Sequence, residues 1–234
     1  MSDPHGILPK IEKCDILGIC GDIFPLQIQN KSFPSAIWFE REFVPWALNA
    51  PCEKVILIAG NHDFLFQGLQ KLAFRNLQSE ELYEECAQDT IKSQLLLNKK
   101  IVYLQDGSYT FNHKKFYGTP WIPDLSSWAY YKPSKGLIEK FKKIPEDCDV
   151  LLTHAAGTEN NIGVSLDFEK KPNYGCKELT KEVLAKKIPY WFCGHIHSGN
   201  HEVTTLSNGV TKAANVSILN EDYQIAYEPL YIEI

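Results

Sequence analysis

Short apolar runs recur along the chain at the length and hydrophobicity of buried strands: CDILGIC (14–20), KVILIAG (54–60), KIVYLQ (100–105), KKFYGTPW (114–121), DVLLTH (149–154) and YWFCGH (190–195). Helical patterns lie between several of them. PSAIWFEREFVPWALNA (34–50) brings Ile37, Trp38, Phe43, Trp46 and Ala47 to one face, with Pro34 suited to a first turn. SEELYEECAQDTIKSQLLL (79–97) and KELTKEVLAKK (177–187) are amphipathic in the same way. The last third changes character. HEVTTLSNGVTKAANVSIL (201–219) predicts two strands about an Asn208-Gly209 turn, and YQIAYEPLYIEI (223–234) predicts a final strand. Residues 64–80 and 155–176 read as loops. Strands alternating with helices, followed by hairpins, predict an α/β architecture with mixed sheets. With no repeat, linker or shift in composition, residues 1–234 are expected to form one domain.

The polar residues that end these runs carry the chemistry. DILGIC leads into Gly21-Asp22, VILIAG into Asn61-His62-Asp63, VLLT into His154, and YWFC into Gly194-His195-Ile196-His197. In open α/β sheets the ligand crevice lies beyond the carboxyl ends of strands. Histidine usage points the same way. Of seven histidines, five (His5, His62, His154, His195, His197) fall in these clusters or in the opening D-x-H of Asp3 and His5. His113 sits in a turn sequence, FNHKK, and reads as surface, while His201 is left unassigned. Asp, Asn and neutral His without thiolate suit a divalent metal of intermediate hardness, with Mn, Fe, Zn, Co and Ni all compatible. The donors outnumber what one ion needs. Two ions sharing a carboxylate are the arrangement used for in-line displacement at phosphorus.

Composition narrows the partners. At 234 residues, 44% hydrophobic and 23% charged, the chain has the balance of a globular protein. A net charge of -5 and scattered lysine pairs argue against a face for a nucleic-acid duplex. The seven cysteines (14, 20, 52, 86, 148, 176 and 193) contain no C-x-x-C, so free thiols in a reducing cytoplasm are expected. No basic segment followed by an apolar run opens the chain, and no stretch is long and apolar enough for a membrane span, so no membrane partner is expected.

Taken in order, D-x-H (Asp3, His5), G-D (Gly21, Asp22), G-N-H-D (Gly60 to Asp63), His154 and G-H-x-H (Gly194 to His197) resemble the calcineurin-like metallophosphoesterase superfamily. YGTPW (117–121), the short gap from His5 to Asp22, IPEDCDVLLTHAAG (144–157) and NYGCKEL (173–179) are similar to its metallophosphoesterase-domain-containing subfamily. The resemblance implies a four-layer αββα sandwich of two mixed β-sheets flanked by helices. It implies two divalent ions, with manganese expected first and Fe, Zn, Co or Ni as alternatives. One would be held by Asp3, His5, Asp22 and His197, the other by Asp22, Asn61, His154 and His195, with Asp22 bridging. A hydroxide bridging the ions would attack phosphorus. His62 would act as general acid or as a donor to the phosphoryl oxygens, and Asp63 would orient its ring.

The same resemblance implies a phosphodiesterase for small diesters, cyclic nucleotides among them, with a phosphomonoesterase or protein phosphatase, or a non-catalytic scaffold, as alternatives. For the substrate, Asn215, Trp121 and Tyr117 are candidate contacts, within a wider set of aromatic residues (Phe64, Phe66, Trp128, Tyr130, Tyr131) expected near the rim. Oligomeric state is left open. The family carries an apolar strand before D-x-H, where this sequence shows Met1 and Ser2, so metal coordination itself is the expected source of order there.

Overall fold

The computed structural model describes residues 1–68 and 79–234. All six apolar runs form strands: β1 (Ile16–Cys20), β2 (Lys54–Ile58), β3 (Ile101–Tyr103), β5 (Lys114–Thr119), β6 (Val150–Thr153) and β7 (Tyr190–Cys193). The expected hairpin about Gly209 is present as β8 (Thr204–Thr205) and β9 (Lys212–Asn215). One strand was not anticipated: β4 (Gly107–Phe111) pairs antiparallel with β5 across the exposed Asn112-His113 turn. The expected last strand is absent. Over 223–234 only an isolated bridge between Leu219 and Ile225 forms, because Ala226 and Tyr227 both donate to the single carbonyl of Ile218 and Pro229 follows without a donor.

The helices are α1 (Ser32–Trp38), α2 (Val44–Asn49), α3 (Phe64–Gly68), α4 (Ser79–Leu97), α5 (Ser134–Phe141) and α6 (Lys177–Lys186). Between α1 and α2, residues Phe39–Phe43 form a π-helical turn. Pro45 explains it: its ring would clash with the carbonyl four residues back in a regular helix, and the wider turn relieves that contact. The short α3 replaces the start of the loop expected over 64–80; residues 69–78 of that stretch lie outside the described residues.

Two sheets result, one of order β1-β2-β3 and parallel throughout, the other of order β4-β5-β6-β7-β9-β8 and mixed. Alternation along the strands builds four layers. Cys20, Ile56 and Ile58 meet Phe116, Leu152, Phe192 and Ala214 between the sheets. Leu17, Ile19, Val55 and Leu57 turn away into a core with Phe39, Phe43 and Ile91 of the helical segments. Leu151 and Trp191 do the same on the far side with Leu137, Leu179 and Val183.

The amino terminus is a working part of this frame. Met1 O accepts from Cys20 N–H at 3.0 Å, Ser2 N–H donates to Val216 O at 2.6 Å, and Ser2 O accepts from Ile218 N–H at 3.0 Å. Met1 and Ser2 therefore run as a strand between β1 and residues 216–218, and Ser2 bridges Ser217 in parallel. Backbone pairing thus runs through the segment where metal coordination was the expected source of order. Beside it, a cavity of about 920 Å³ lies along β1 and under Pro229–Ile234, and none of Asp3, His5, Asp22, Asn61, His62, His154, His195 and His197 lines it.

Candidate metal centre

Every run that was expected to end in a polar group does so at one end of the two sheets. Asp22 follows β1, Asn61 and His62 follow β2, His154 follows β6 directly, and His195 and His197 follow β7. The terminal strand delivers Asp3 and His5 to the same place, with Asp3 N–H bonded to Gly21 O and His5 N–H to Asp22 O, both at 3.0 Å.

Asp22 is the hub. Its Oδ2 lies 3.3 Å from His154 Nε2, 3.8 Å from His5 Nε2 and 3.9 Å from His62 Nε2. Asp3 Oδ1 lies 3.6 Å from His197 Nε2, and Asn61 Oδ1 lies 2.8 Å from His154 Nε2. Three compact sets follow, each with ligand atoms within 4.8 Å of one another: Asp3, His5 and His197; His5, Asp22 and His62; Asp3, Asp22 and His154. His195 stands beside His154, ring centroids 5.0 Å apart, but belongs to none of these sets; its N–H holds Asp3 Oδ2 at 3.0 Å.

Two histidines are aimed by their other nitrogen. His154 Nδ1–H donates to Cys20 O at 2.9 Å and His197 Nδ1–H to Asn220 O at 2.8 Å, so each Nε2 faces a carboxylate. Burial alone would lower both, but Asp22 and Asp3 overcome it at His154, and Asp3 at His197, pushing each up to about 9. Burial drives His5 down to about 4 and, with the nearby His154, His195 down to about 3. Burial opposes the charge of Asp3 and Asp22, yet their histidine partners hold both carboxyls below the usual range. A cation binding here would have to displace protons from His154 and His197.

The residues fit a divalent metal on a direct observation. Both ring nitrogens of His5 are buried and have no hydrogen-bond partner, an expensive arrangement for an imidazole unless an ion takes it up. At Gly60 an added Cβ would collide with Asp22 Oδ1 and His154 Cε1, so the backbone must be bare for the cluster to close. The nearby thiols are not ligands: burial pushes Cys20 up to about 12, and its Sγ donates to Phe192 O at 3.5 Å. The six cysteines whose side chains are described are free, and Cys86 lies outside those described.

Several expected roles change. Asp63 does not orient His62. Its Oδ2 accepts from Asp22 N–H at 2.8 Å and Gly60 N–H at 2.7 Å, and its Oδ1 from Ile23 N–H at 2.9 Å and Phe24 N–H at 3.3 Å. Burial and then the charge of Asp22 push its carboxyl up, but the four N–H donors, those of Gly60 and Phe24 among them, need both oxygens as acceptors and hold it ionised. The partner of His62 Nδ1 is Gln29 Oε1, which sequence reasoning missed because a lone glutamine in an irregular segment carries no pattern.

Asn215 is no substrate contact either. Its Nδ2 donates to Ile196 O at 2.7 Å and Ile162 O at 3.2 Å, and its Oδ1 accepts from Ser217 N–H at 3.0 Å, so it fastens the loop carrying His195 and His197. Trp121 is buried with its Nε1–H on Asp106 Oδ1 at 2.8 Å, and Tyr117 is buried in the core. Neither reaches the cluster, because alternation along β5 and its continuation turns both rings into the helix-side packing. Phe66 stacks on Tyr103 and Tyr130 bonds Tyr103, so both belong to the core. His201 Nε2–H donates to His197 O at 2.9 Å and its ring stacks on Tyr227, a supporting role.

Of the expected rim, Trp128 alone touches the cluster, 4.3 Å from His62 between ring centroids, with Phe64 behind it at 5.8 Å. Tyr223 was not anticipated; it stands edge-on to His5 at 5.0 Å and His197 at 5.2 Å. Ser217 Oγ–H donates to Asp3 Oδ2 at 2.7 Å, another partner too distant in sequence to be read there.

The sequence matches the family model described as calcineurin-like phosphoesterase over residues 5–199. Metallophosphoesterase domain-containing protein 1 of Homo sapiens is 30% identical over 248 aligned residues, covering 100% of this chain and 69% of that protein. A Caenorhabditis elegans UPF0046 protein is 28% identical over 232 residues, covering 98% and 76%. Among solved structures, TT1561 of Thermus thermophilus superposes with a TM-score of 0.58 at 12% identity, over 92% of this chain and 86% of that one. The phosphopantetheinyl hydrolase of Mycobacterium tuberculosis gives 0.52 at 12% identity, over 95% and 89%. At such identities these two speak for the fold.

Proposed function

Because the chain belongs to the calcineurin-like phosphoesterase family, we propose that this metal-dependent phosphoesterase is a phosphodiesterase for small diesters, cyclic nucleotides among the candidates. The observation that carries the reading is the convergence of Asp22 with His5, His62 and His154 beside an Asp3–His197 pair, in a site where His5 is buried without a partner. Asp3, His5, Asp22 and His197 would hold one ion and Asp22, Asn61, His154 and His195 the second. Bound there, two divalent ions, manganese being the first to try, would supply a water of lowered pKa and positive charge against the phosphoryl oxygens.

The protein's own contribution is positioning. Gln29 Oε1 accepts from His62 Nδ1–H, so Nε2 faces the cluster, where the doubly protonated ring would give its second proton to the departing oxygen. Among the described residues, Asp3 and Asp22 form ion pairs with histidine only, and no lysine or arginine pairs with them. The six free cysteines support a reducing compartment such as the cytoplasm, and no helix among the described residues is long and apolar enough to cross a membrane.

The test is metal content per chain, with turnover of bis-p-nitrophenyl phosphate against p-nitrophenyl phosphate. Two ions and diester cleavage are expected. Asp22→Asn should lose metal and activity together, and His62→Ala should keep metal while losing roughly 10²–10⁴-fold in kcat. Cleavage of the monoester alone would make the enzyme a phosphomonoesterase, and metal without turnover would make it a scaffold. Diester cleavage that survives both substitutions would sink the mechanism.

A further inference from the structure

The loop that follows β5 brings one aromatic ring to the active cluster, and its construction shows that the ring is held there. Ile122 N–H donates to Tyr130 O and Lys132 N–H to Ile122 O, both at 3.1 Å, and Ile122 bridges Tyr131, closing the base of the loop. Inside it, Trp128 N–H donates to Leu125 O at 2.9 Å. Ala129 N–H donates to Asn61 O at 3.2 Å, tying the loop to the segment that carries His62. Tyr130, fully buried, anchors the next position by its hydroxyl on Tyr103. Trp128 is thereby placed beside His62, its ring tilted by 48° to the imidazole and backed by Phe64 at 34°. It is half-buried, and among the described residues its indole N–H has no partner.

The geometry points to Trp128 as a specificity-determining residue that stacks on a planar ring attached near the leaving oxygen of the substrate, selecting aromatic or heteroaromatic phosphoesters over alkyl ones. This rests on the phosphodiesterase reading above. The leaving side is assigned by chemistry: the proton donor must reach the departing oxygen, and Trp128 is the aromatic ring packed on that donor. Tyr223, by contrast, stands over His5 and His197. A π-face accepts any planar ring, and the indole N–H, unpartnered among the described residues, can add a hydrogen bond to a ring heteroatom.

Benzylphosphonate and cyclohexylmethylphosphonate, which match in size and charge and differ in planarity, test the assignment. Their binding to the metal-loaded protein is measured by calorimetry and by inhibition of bis-p-nitrophenyl phosphate turnover. Stacking of this kind is worth about a factor of ten or more, so benzylphosphonate should bind about 10-fold tighter to the unaltered protein. Trp128→Leu should bring the ratio to about 1, and Trp128→Phe should keep most of it, with metal content unchanged in both. Equal binding of the two phosphonates by a protein that turns over the diester overturns this inference alone, whatever the variants do. A ratio that persists in Trp128→Leu overturns it too. No turnover and no binding of either phosphonate overturns the phosphoesterase reading and this inference together.

Discussion

A carboxylate offers about four acceptor directions, and Asp63 fills them with the N–H groups of Asp22, Ile23, Phe24 and Gly60. The chain segments that follow β1 and β2 are thereby clamped together directly beneath Asp22. Asparagine in that place keeps one acceptor oxygen and sets an amide NH2 against two of the four donors. Each orphaned buried donor costs about 1–3 kcal/mol, so Asp63→Asn should destabilise the metal-free protein by about 3 kcal/mol in urea unfolding. A loss under about 1 kcal/mol would mean that water serves those donors as well as the carboxylate does. The motif G-N-H-D made Asp63 visible in the sequence, but a motif records which residues stand together along the chain. Which neighbour each one serves depends on backbone that arrives from elsewhere, here from Asp22 to Phe24. Gln29 and Tyr223 were invisible for the same reason: each is one polar or aromatic residue in an irregular segment, placed by the fold against His62 or His5.

Among the elements, the strands buried on both faces were legible because burial leaves them continuously apolar. β4 was not: GSYTF alternates half-buried and exposed positions at the sheet edge and carries no apolar run. α5 contains Gly136 and spans only eight residues, too short for its period to stand out. The final segment misled in the other direction, since its apolar residues cover a groove instead of pairing in a sheet. β5 shows what its YGTPW sequence provides physically. Gly118 faces the first sheet, where an added Cβ would lie 2.5 Å from Leu104 Cβ and 2.6 Å from Ile58 Cγ2. Both of those atoms are close to rigid backbone, so the sheets would have to separate. Gly118→Ala should therefore destabilise by about 1–3 kcal/mol, the usual range for overpacking. Because this segment leads on to the Trp128 loop, activity should fall with stability. A variant as stable as the parent in thermal unfolding would show that the inter-sheet spacing is free to adjust.

At the scale of the whole molecule, the site exists only when two sheets and the amino terminus meet. Asp3 is fixed by Ser217, 214 positions away, and by the N–H of His195, 192 positions away. Pairings of that separation leave no trace in local pattern, which is why the ligand set followed from resemblance and its supports did not. The rungs that carry Asp3 and His5 are backbone bonds: Ser2 N–H to Val216 O, Asp3 N–H to Gly21 O, His5 N–H to Asp22 O and Gly6 N–H to Ile23 O. None of them involves a metal. If this ladder sets the order, the terminus is organised before any ion binds, and the ligands are preorganised and not recruited. Hydrogen exchange on the chelator-stripped protein decides between the two. The amides of residues 2, 3, 5 and 6 should stay protected at a level comparable to those of β1, since they open only when the sheets do. Rapid exchange at these four amides, restored to slow exchange by adding manganese, would show instead that coordination orders the terminus. Metal loss would then loosen the junction between the two sheets as well as stop the chemistry.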